Sequence, residues 1–379
     1  MKFVLNLSEL NDALSIVGRA TGNKVKAILS NVLLIAADNE VRLAGTNLEV
    51  MITSRIRAEV ETSGQCTIPE KIFHEVVSAL NSSSPQSIVT VTQIDGNQIE
   101  LATGRTKTSL PIQGIEDFPP LPVIEIDKIP SFTIESCQIK KPLQQVSIAM
   151  GSEEGNITQR CVCFSFSEGR IKFTSTDIHR LALAYSEKLE YPPEMEKSFL
   201  IPAKSIPEIL KILDDGKNVR IALMGDQLIF SSDRFFLLTL LYDGKYPDFT
   251  RAIPKNINSQ LKIKTHELQN GLKTIAPVAR LNAGMFYFDI GENETRIWTN
   301  AAGEGTIECF VPSELTGEKL QIGFNIKFVT DFLNVADSED ILLKLVTPSF
   351  PGLFTPFESS TDYQYIIMPM SVKKTGTEG

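Results

Sequence analysis

Asp177 and His179 stand two positions apart in Thr176-Asp177-Ile178-His179-Arg180, a pairing that a general base and its orienting acid would use. The chain has 3 His in all, and His74 and His266 stand far from this pair in sequence. No nucleophile elbow, P-loop or His-Glu-x-x-His accompanies it, so no catalytic residue is assigned and the chain reads as a non-enzyme. Cys161 and Cys163 would share one face of a strand, which is the arrangement of packed core thiols more than of a zinc site. With 5 Cys, an odd number, and no Cys-x-x-Cys, the thiols read as reduced and the protein as cytoplasmic. No metal and no cofactor is expected.

The elements that would hold these residues recur. Leu10-Ala13-Leu14-Val17-Ala20, Ile139-Pro142-Leu143-Val146-Ala149 and Leu268-Gly271-Leu272-Ile275-Val278 each have the spacing of one buried helical face. Each set lies 129 residues after the one before. Pro142 is expected in the first turn of a helix that starts late, where its missing N–H is tolerated. A second helical run opens at Ile68-Pro69-Glu70-Lys71, at Ile201-Pro202-Ala203-Lys204 and at Phe324-Asn325-Ile326-Lys327, ending near Leu80, Leu213 and Ala336. Between the two helices, Val41-Arg42-Leu43, Ile171-Lys172-Phe173 and Arg296-Ile297-Trp298 alternate as strands do. After the second helix, Ile88 to Val91, Val219 to Leu223 and Ile341 to Val346 alternate again. One unit reads strand, helix, several strands, helix, several strands, and three such units fill the chain. Boundaries fall near the Pro-rich segment Pro119 to Pro130 and near Ile253 to Asn258.

Length and charge agree with this. The 379 residues suggest two or three domains at ~150 residues each. Hydrophobic residues at 42% and charged residues at 22% describe an ordinary globular chain and exclude a disordered, fibrous or disulfide-scaffold one. No stretch approaches the ~18 apolar residues of a membrane helix, and the first residues, with early acids, lack the apolar core of a signal peptide. The net charge of −9 excludes a protein that simply coats nucleic acid. Any nucleic-acid role would rest on local placement of charge.

Several stretches resemble one family. Thr176-Asp177-Ile178-His179-Arg180-Leu181-Ala182 is similar to T-D-G-H-R-L-A, and Asp243-Gly244-Lys245-Tyr246-Pro247-Asp248-Phe249 to D-G-x-[FY]-P-[DN]-[FY]. Tyr365-Ile366-Ile367-Met368-Pro369-Met370, Met1-Lys2-Phe3 and Ile28-Leu29-Ser30-Asn31-Val32-Leu33-Leu34 fit as well. In this order the motifs resemble the bacterial DNA polymerase III β subunit family, the sliding clamps. The resemblance implies an α+β fold of three repeated domains of one topology, each with two helices packed on antiparallel sheets. Expected boundaries are residues 1–124, 125–254 and 255–373, with a polar tail at 374–379. It also implies a head-to-tail homodimer closing as a ring around double-stranded DNA, a non-catalytic processivity factor in DNA replication. Implied partners are DNA polymerase III, other polymerases, the clamp loader and repair factors, with no membrane.

Site residues follow from the resemblance position by position. A peptide-binding pocket between the second and third domains would use Thr176, His179, Arg180, Leu181, Pro247, Arg251, Ala252, Ile366, Ile367, Met368, Pro369 and Met370. His179 and Arg180 would offer donors to peptide carbonyls at its rim. As a final strand, Ile366 to Met368 would put one face in the core and the other in the groove. DNA-facing residues on or beside the repeated helices would include Lys24, Lys26, Lys71, Lys140, Lys141, Lys204 and Lys327. Glu153-Glu154 is acidic where a second DNA-facing loop is expected. The subunit interface would set Phe73, Val77, Leu80, Arg105 and Lys107 against Leu272, Glu304 and Glu308. Two positions depart from the family pattern. Ile178 replaces the usual Gly, which would strain a backbone needing positive φ, and Gln159 replaces an apolar wall residue. Both imply an altered peptide preference, so a specialised clamp paralogue, or a peptide-binding scaffold without a ring, stands as the alternative.

Overall fold

Alternating burial along strands and helical periodicity between them produce one element order three times, with one extra strand, Glu59–Thr62, in the first pass. The computed structural model describes residues 1–22, 26–83, 87–151, 156–157, 159–214, 216–358 and 362–370. The first pass is β1 (Lys2–Asn6), α1 (Leu7–Val17), β2 (Asn31–Ala37), β3 (Glu40–Thr46), β4 (Val50–Arg57), β5 (Glu59–Thr62), β6 (Gly64–Pro69), α2 (Glu70–Ser83), β7 (Ile88–Gln93), β8 (Gln98–Thr103) and β9 (Thr106–Pro111). The second is β10 (Ser131–Glu135), α3 (Cys137–Ser147), β11 (Cys161–Ser167), β12 (Arg170–Thr176), β13 (Arg180–Tyr185), β14 (Ser198–Pro202), α4 (Ile206–Ile212), β15 (Asn218–Met224), β16 (Gln227–Ser231) and β17 (Phe235–Leu240). The third is β18 (Ser259–Lys264), α5 (Thr265–Leu281), β19 (Met285–Ile290), β20 (Glu294–Ala301), β21 (Gly305–Gly317), β22 (Gln321–Asn325), α6 (Ile326–Val335), β23 (Asp340–Leu345), β24 (Gly352–Pro356) and β25 (Tyr363–Ile367).

Local signals start the helices. Asn6 caps α1, its Oδ1 accepting from the backbone N–H of Ser8 at 2.9 Å and Glu9 at 3.2 Å. Asn325 caps α6 in the same way, accepting from Lys327 N–H at 2.9 Å. The apolar faces expected from spacing are buried in α1 and α3. In α5, Val278 is only half-buried and Ala279 takes the core position, as a 3.6-residue turn drifts from the expected set. The expectation for Pro142 is corrected. The helix α3 starts at Cys137, so Pro142 sits past its first turn and forgoes one bond to the Gln138 carbonyl.

The chain divides into two compact units. The first comprises Met1–Cys137, Glu190–Met195 and Lys204–Leu241. It holds a sheet in the order β5-β1-β7-β8-β9 and another in the order β10-β15-β16-β17-β4-β3-β2-β6. Helix α1 packs on α2 and on β4, closing a core that includes Phe3, Leu14, Phe73 and Val77. The second comprises Gln138–Leu189, Glu196–Ala203 and the described residues from Tyr242 onward. Its sheet runs β14-β11-β12-β13-β25-β24-β23-β18-β21-β20-β19-β22. Helix α5 lies on β20 and β21 and against α6. Aromatic rings fill this core, with Phe332 stacked on Tyr363 and Tyr365 at 5.6 Å each and Phe324 edge-on to Phe354 at 5.5 Å.

Candidate functional site

The turn between β12 and β13 is built from its own side chains. The Thr176 hydroxyl donates to the Arg180 carbonyl at 2.7 Å and accepts from Ile178 N–H at 3.1 Å. Asp177 Oδ1 accepts from His179 N–H at 3.0 Å and Arg180 N–H at 2.9 Å. Its other oxygen accepts from Arg180 Nε at 2.8 Å. The Asp177 carboxylate therefore orders the turn and Arg180, not the His179 imidazole. Ile178 takes φ +79°, the left-handed region that Gly adopts freely, with its side chain 65% exposed. Gln159 donates from Nε2 to the Asp177 carbonyl at 3.4 Å, and its Oε1 accepts from Asn156 N–H at 2.8 Å. A polar residue here thus props the turn from behind.

Arg180 corrects one expectation. Its side chain is 7% exposed, and Nη1 donates to Asp331 at 2.6 Å and to the Tyr365 hydroxyl at 3.1 Å. The guanidinium carbon lies 4.3 Å from the Phe328 ring centroid. Its Nε and Nη1 donors are thus committed inside the unit and are not offered to a rim ligand. The short bonds from Asp331, Asp177 and Tyr365 outweigh burial and hold the guanidinium charged, while burial pushes the Tyr365 phenol above its usual range.

Beside this turn lies a groove of about 260 Å³ within the second unit. One wall is the alternate residues Leu181, Leu183 and Tyr185 of β13, which a strand must present on one face. The other is the segment Tyr246, Pro247, Asp248, Phe249, Thr250 and Ile253. Leu181, Leu183, Leu353 and Ile366 form a buried cluster beneath it, with Phe249 and Ile253 packed on top. The Tyr246 hydroxyl is buried without a hydrogen-bond partner among the described residues, so it remains a donor for whatever enters. Asp248 accepts from Thr250 N–H at 2.9 Å, and the Thr250 backbone and hydroxyl hold its carboxyl below the ordinary range. Lys172 lines the groove as well. Cys161 and Cys163 pack with Leu200 under Tyr242 and Tyr246, and burial pushes the Cys161 thiol up to about 12.

Of the expected pocket residues, Leu181 and Pro247 line this groove and Ile366 lies in its floor. Arg251 and Ala252 form the 3-10 turn Thr250–Ala252 at its edge. The backbone of Met368 donates to the His179 carbonyl at 2.9 Å, which brings Met368 to the Thr176 turn, while that of Met370 donates to Gly323 of β22 at 2.9 Å. Ile367 is fully buried opposite Arg180 on β25. Tyr246, Phe249 and Ile253 were missed. Tyr246 and Phe249 fall inside the quoted Asp243 to Phe249 motif, and apolar spacing around Pro247 was the available signal.

Among the expected DNA-facing residues, Lys26, Lys71, Lys141, Lys204 and Lys327 are exposed and Lys140 half-buried. Lys141 pairs with Asp337 at 2.7 Å, Lys327 with Asp331 at 2.6 Å and Lys204 with Glu49 at 3.8 Å. Lys24, Glu153-Glu154 and the tail from Ser371 lie outside the described residues. Three expected interface residues need correction. Phe73 and Val77 are 0% exposed and Leu272 is 2% exposed, so they hold their own cores. The resemblance had marked this face of α2, and that face turns inward. Leu80 is half-buried, and Arg105 and Glu304 are exposed. Lys107 pairs with Glu100 at 3.1 Å and Glu308 with Arg296 at 2.6 Å.

Three family models cover the chain in succession. The N-terminal domain of the DNA polymerase III beta subunit matches residues 1–122, the central domain 133–248 and the C-terminal domain 250–371. The beta sliding clamp of Chlamydia muridarum is 28% identical, over 98% of this chain and 99% of that one. That of Escherichia coli K12 is 25% identical, over 98% of this chain and 100% of that one. The fold is similar to the crystal structure of the DNA polymerase III beta subunit of Thermotoga maritima, with TM-score 0.90, 23% identity and coverage of 98% and 99%. It is similar too to a Pseudomonas aeruginosa sliding clamp bound to griselimycin, with TM-score 0.88, 22% identity and coverage of 98% and 100%.

Proposed function

The chain belongs to the DNA polymerase III β subunit family, the sliding clamps of DNA replication, and from that premise we propose that two copies close head to tail into a ring around duplex DNA. The carrying observation is the thrice-repeated helix-and-sheet order along a chain that the family models match at residues 1–122, 133–248 and 250–371. In this reading the three domains are residues 1–124, 125–254 and 255–373. The ring tethers the replicative polymerase, so each rebinding is effectively intramolecular, at effective concentrations on the order of mM. It is not itself an enzyme, it is cytoplasmic, and it is placed on DNA by a clamp loader. Among the described residues no helix is long and apolar enough to cross a membrane.

Enclosure suits a chain of net charge −9. A gripping protein gains affinity with each phosphate it neutralises, which also resists movement. A ring needs only a few basic side chains toward the duplex. Lys26, Lys71, Lys140, Lys141, Lys204 and Lys327 fill that role in this reading, several tempered by neighbouring acids. Leu80, Arg105 and Lys107 of one copy would face Glu304 and Glu308 of the other. The groove of Leu181, Pro247 and Ile366 would take an apolar peptide of polymerases or loader, with the Tyr246 hydroxyl as a donor. The test is loading onto nicked circular DNA followed by cutting. The protein should sediment as a dimer and leave the DNA once it is linear. Retention on cut DNA would refute enclosure.

The φ of Ile178 and the Gln159 prop favour a second reading for partner choice, a clamp whose groove has a shifted peptide preference. Replacing Ile178 with Gly should change which polymerase peptides bind, read by fluorescence anisotropy. Equal affinities before and after would remove it.

A further inference from the structure

The strands that wall the groove of the second unit have counterparts in the first. Thr46 donates to the Val50 carbonyl at 2.9 Å and accepts from Leu48 N–H at 3.1 Å, and Asn47 caps the same two N–H groups that Asp177 does in its turn. Leu48 takes φ +79°, as Ile178 does. On β3 and β4, Arg42 faces Arg55 and Thr46 faces Met51, as Lys172 faces Tyr185 and Thr176 faces Leu181 on β12 and β13. Strand β17 lies on β4 with Leu238 opposite Met51, as β25 lies on β13 with Ile366 opposite Leu181. The repeat therefore builds a second groove, wholly within the first unit. It consists of a cavity of about 170 Å³ and an adjoining one of about 390 Å³, which share Met51, Leu121, Pro122 and Leu238.

We propose that this second groove docks an extended peptide segment of another protein, one that carries a carboxylate among apolar side chains. The apolar part of the argument is its floor. Ala222, Ile229 and Leu238 are buried there, with Met51, Ile124 and Phe236 half-buried on top and Val123 90% exposed at the rim. Met51 supplies an adaptable wall and the Pro-rich segment a rigid one. The charge part is two guanidiniums in the 170 Å³ cavity, whose lining holds no carboxylate, while Glu49 lines the adjoining one, so the carboxylate is received at the Arg42–Arg55 end. Arg55 is exposed over the Phe236 ring at 5.8 Å and makes no ion pair among the described residues. Arg42 gives Nη2 to Glu40 at 3.2 Å, while its Nε is buried with no hydrogen-bond partner. An unpaired guanidinium beside an orphaned buried donor is complementary to a carboxylate. The corresponding places of the other groove hold Lys172 and Tyr185, with Asp248 in the lining, so that groove sets one cation beside an acid where this cavity sets two cations.

The test is selection of displayed random heptapeptides on the full chain, followed by anisotropy with the selected peptides. The expected peptides combine Asp or Glu with apolar residues and lose at least tenfold in affinity on Arg55→Glu and on Val123→Asp. They should keep their affinity on Asp248→Lys, which alters the other groove. All three substituted side chains are exposed, so folding is retained, and circular dichroism checks it. If no selected peptide responds to Arg55→Glu, the proposal is overturned. It is also overturned if Arg55→Glu instead changes the sedimentation of the protein alone, because the face would then join two copies. Peptides sensitive only to Asp248→Lys would support the first groove while refuting the second.

Discussion

Position 178 carries a β-branched side chain on left-handed backbone, which costs about 1 kcal/mol or more. Ile178→Gly is expected to raise stability by about 1 kcal/mol in urea unfolding, and Leu48→Gly to act in the same direction; a fall in both would show the backbone to be unstrained. Arg180 carries the opposite risk. Arg180→Met would leave Asp331 and Asp177 without their buried partner, at a cost of about 3 kcal/mol. Adding Asp331→Asn should recover part of that loss, a coupling that a double-mutant cycle reads directly. The buried thiols set a pH limit. Burial pushes Cys66 and Cys161 from 9.0 up to about 12, so they stay protonated when folded while the unfolded chain ionises near 9.0. Their contribution is complete below pH 9 and is lost as pH rises from 9 toward 12. The urea midpoint should therefore fall from pH 8 to pH 10.5, and should fall less in Cys66→Ala than in the parent. The motif around Asp177 was legible as a family stretch, but not as the turn that Thr176 and Asp177 build by bonding to backbone a few residues away. The Arg180 to Asp331 pair was not legible, since it joins residues 151 apart and only the folded sheet brings them together.

For the elements, helix existence and the threefold order could be read from spacing alone, because amphipathic periodicity reports local geometry. Which face becomes a free surface could not. On α2 the Phe73 and Val77 positions recur at helical spacing, a pattern equally suited to a core and to an interface, and the core takes them. Ile72 on the same helix is 41% exposed. Phe73→Ala should cost about 4 kcal/mol through the cavity it leaves. Ile72→Asp should shift stability by no more than about 0.5 kcal/mol, yet weaken dimerisation if this flank of α2 meets a second copy. Sedimentation of both variants separates the roles, and an unchanged dimer in Ile72→Asp would move the interface elsewhere. The groove follows the same division. The family motif marked Leu181, whereas for the loop residues Tyr246 and Ile253 the one signal was the apolar spacing around Pro247, which does not show that they face a groove.

Across the whole molecule, the proposed enclosure of DNA by an acidic chain makes a salt prediction. Binding to linear duplex should be weak and fall with salt at a log–log slope of about −0.9 per phosphate neutralised. Protein loaded on closed circles should persist through the same salt range, because departure then requires opening the ring. Charge reversal at Lys71 or Lys204 should lower the linear binding and leave the circular retention intact; loss of both together would argue for grip. The seam between β4 and β17 has a consequence for synthesis. Ser54 on β4 bonds to the Arg234 carbonyl beside β17, 180 residues later. While the ribosome is still making that stretch, β4 has a raw edge able to pair with any neighbouring strand. A fragment ended at residue 122 should thus precipitate on expression, and the nascent chain would rely on a chaperone to shield that edge until its distant mate emerges.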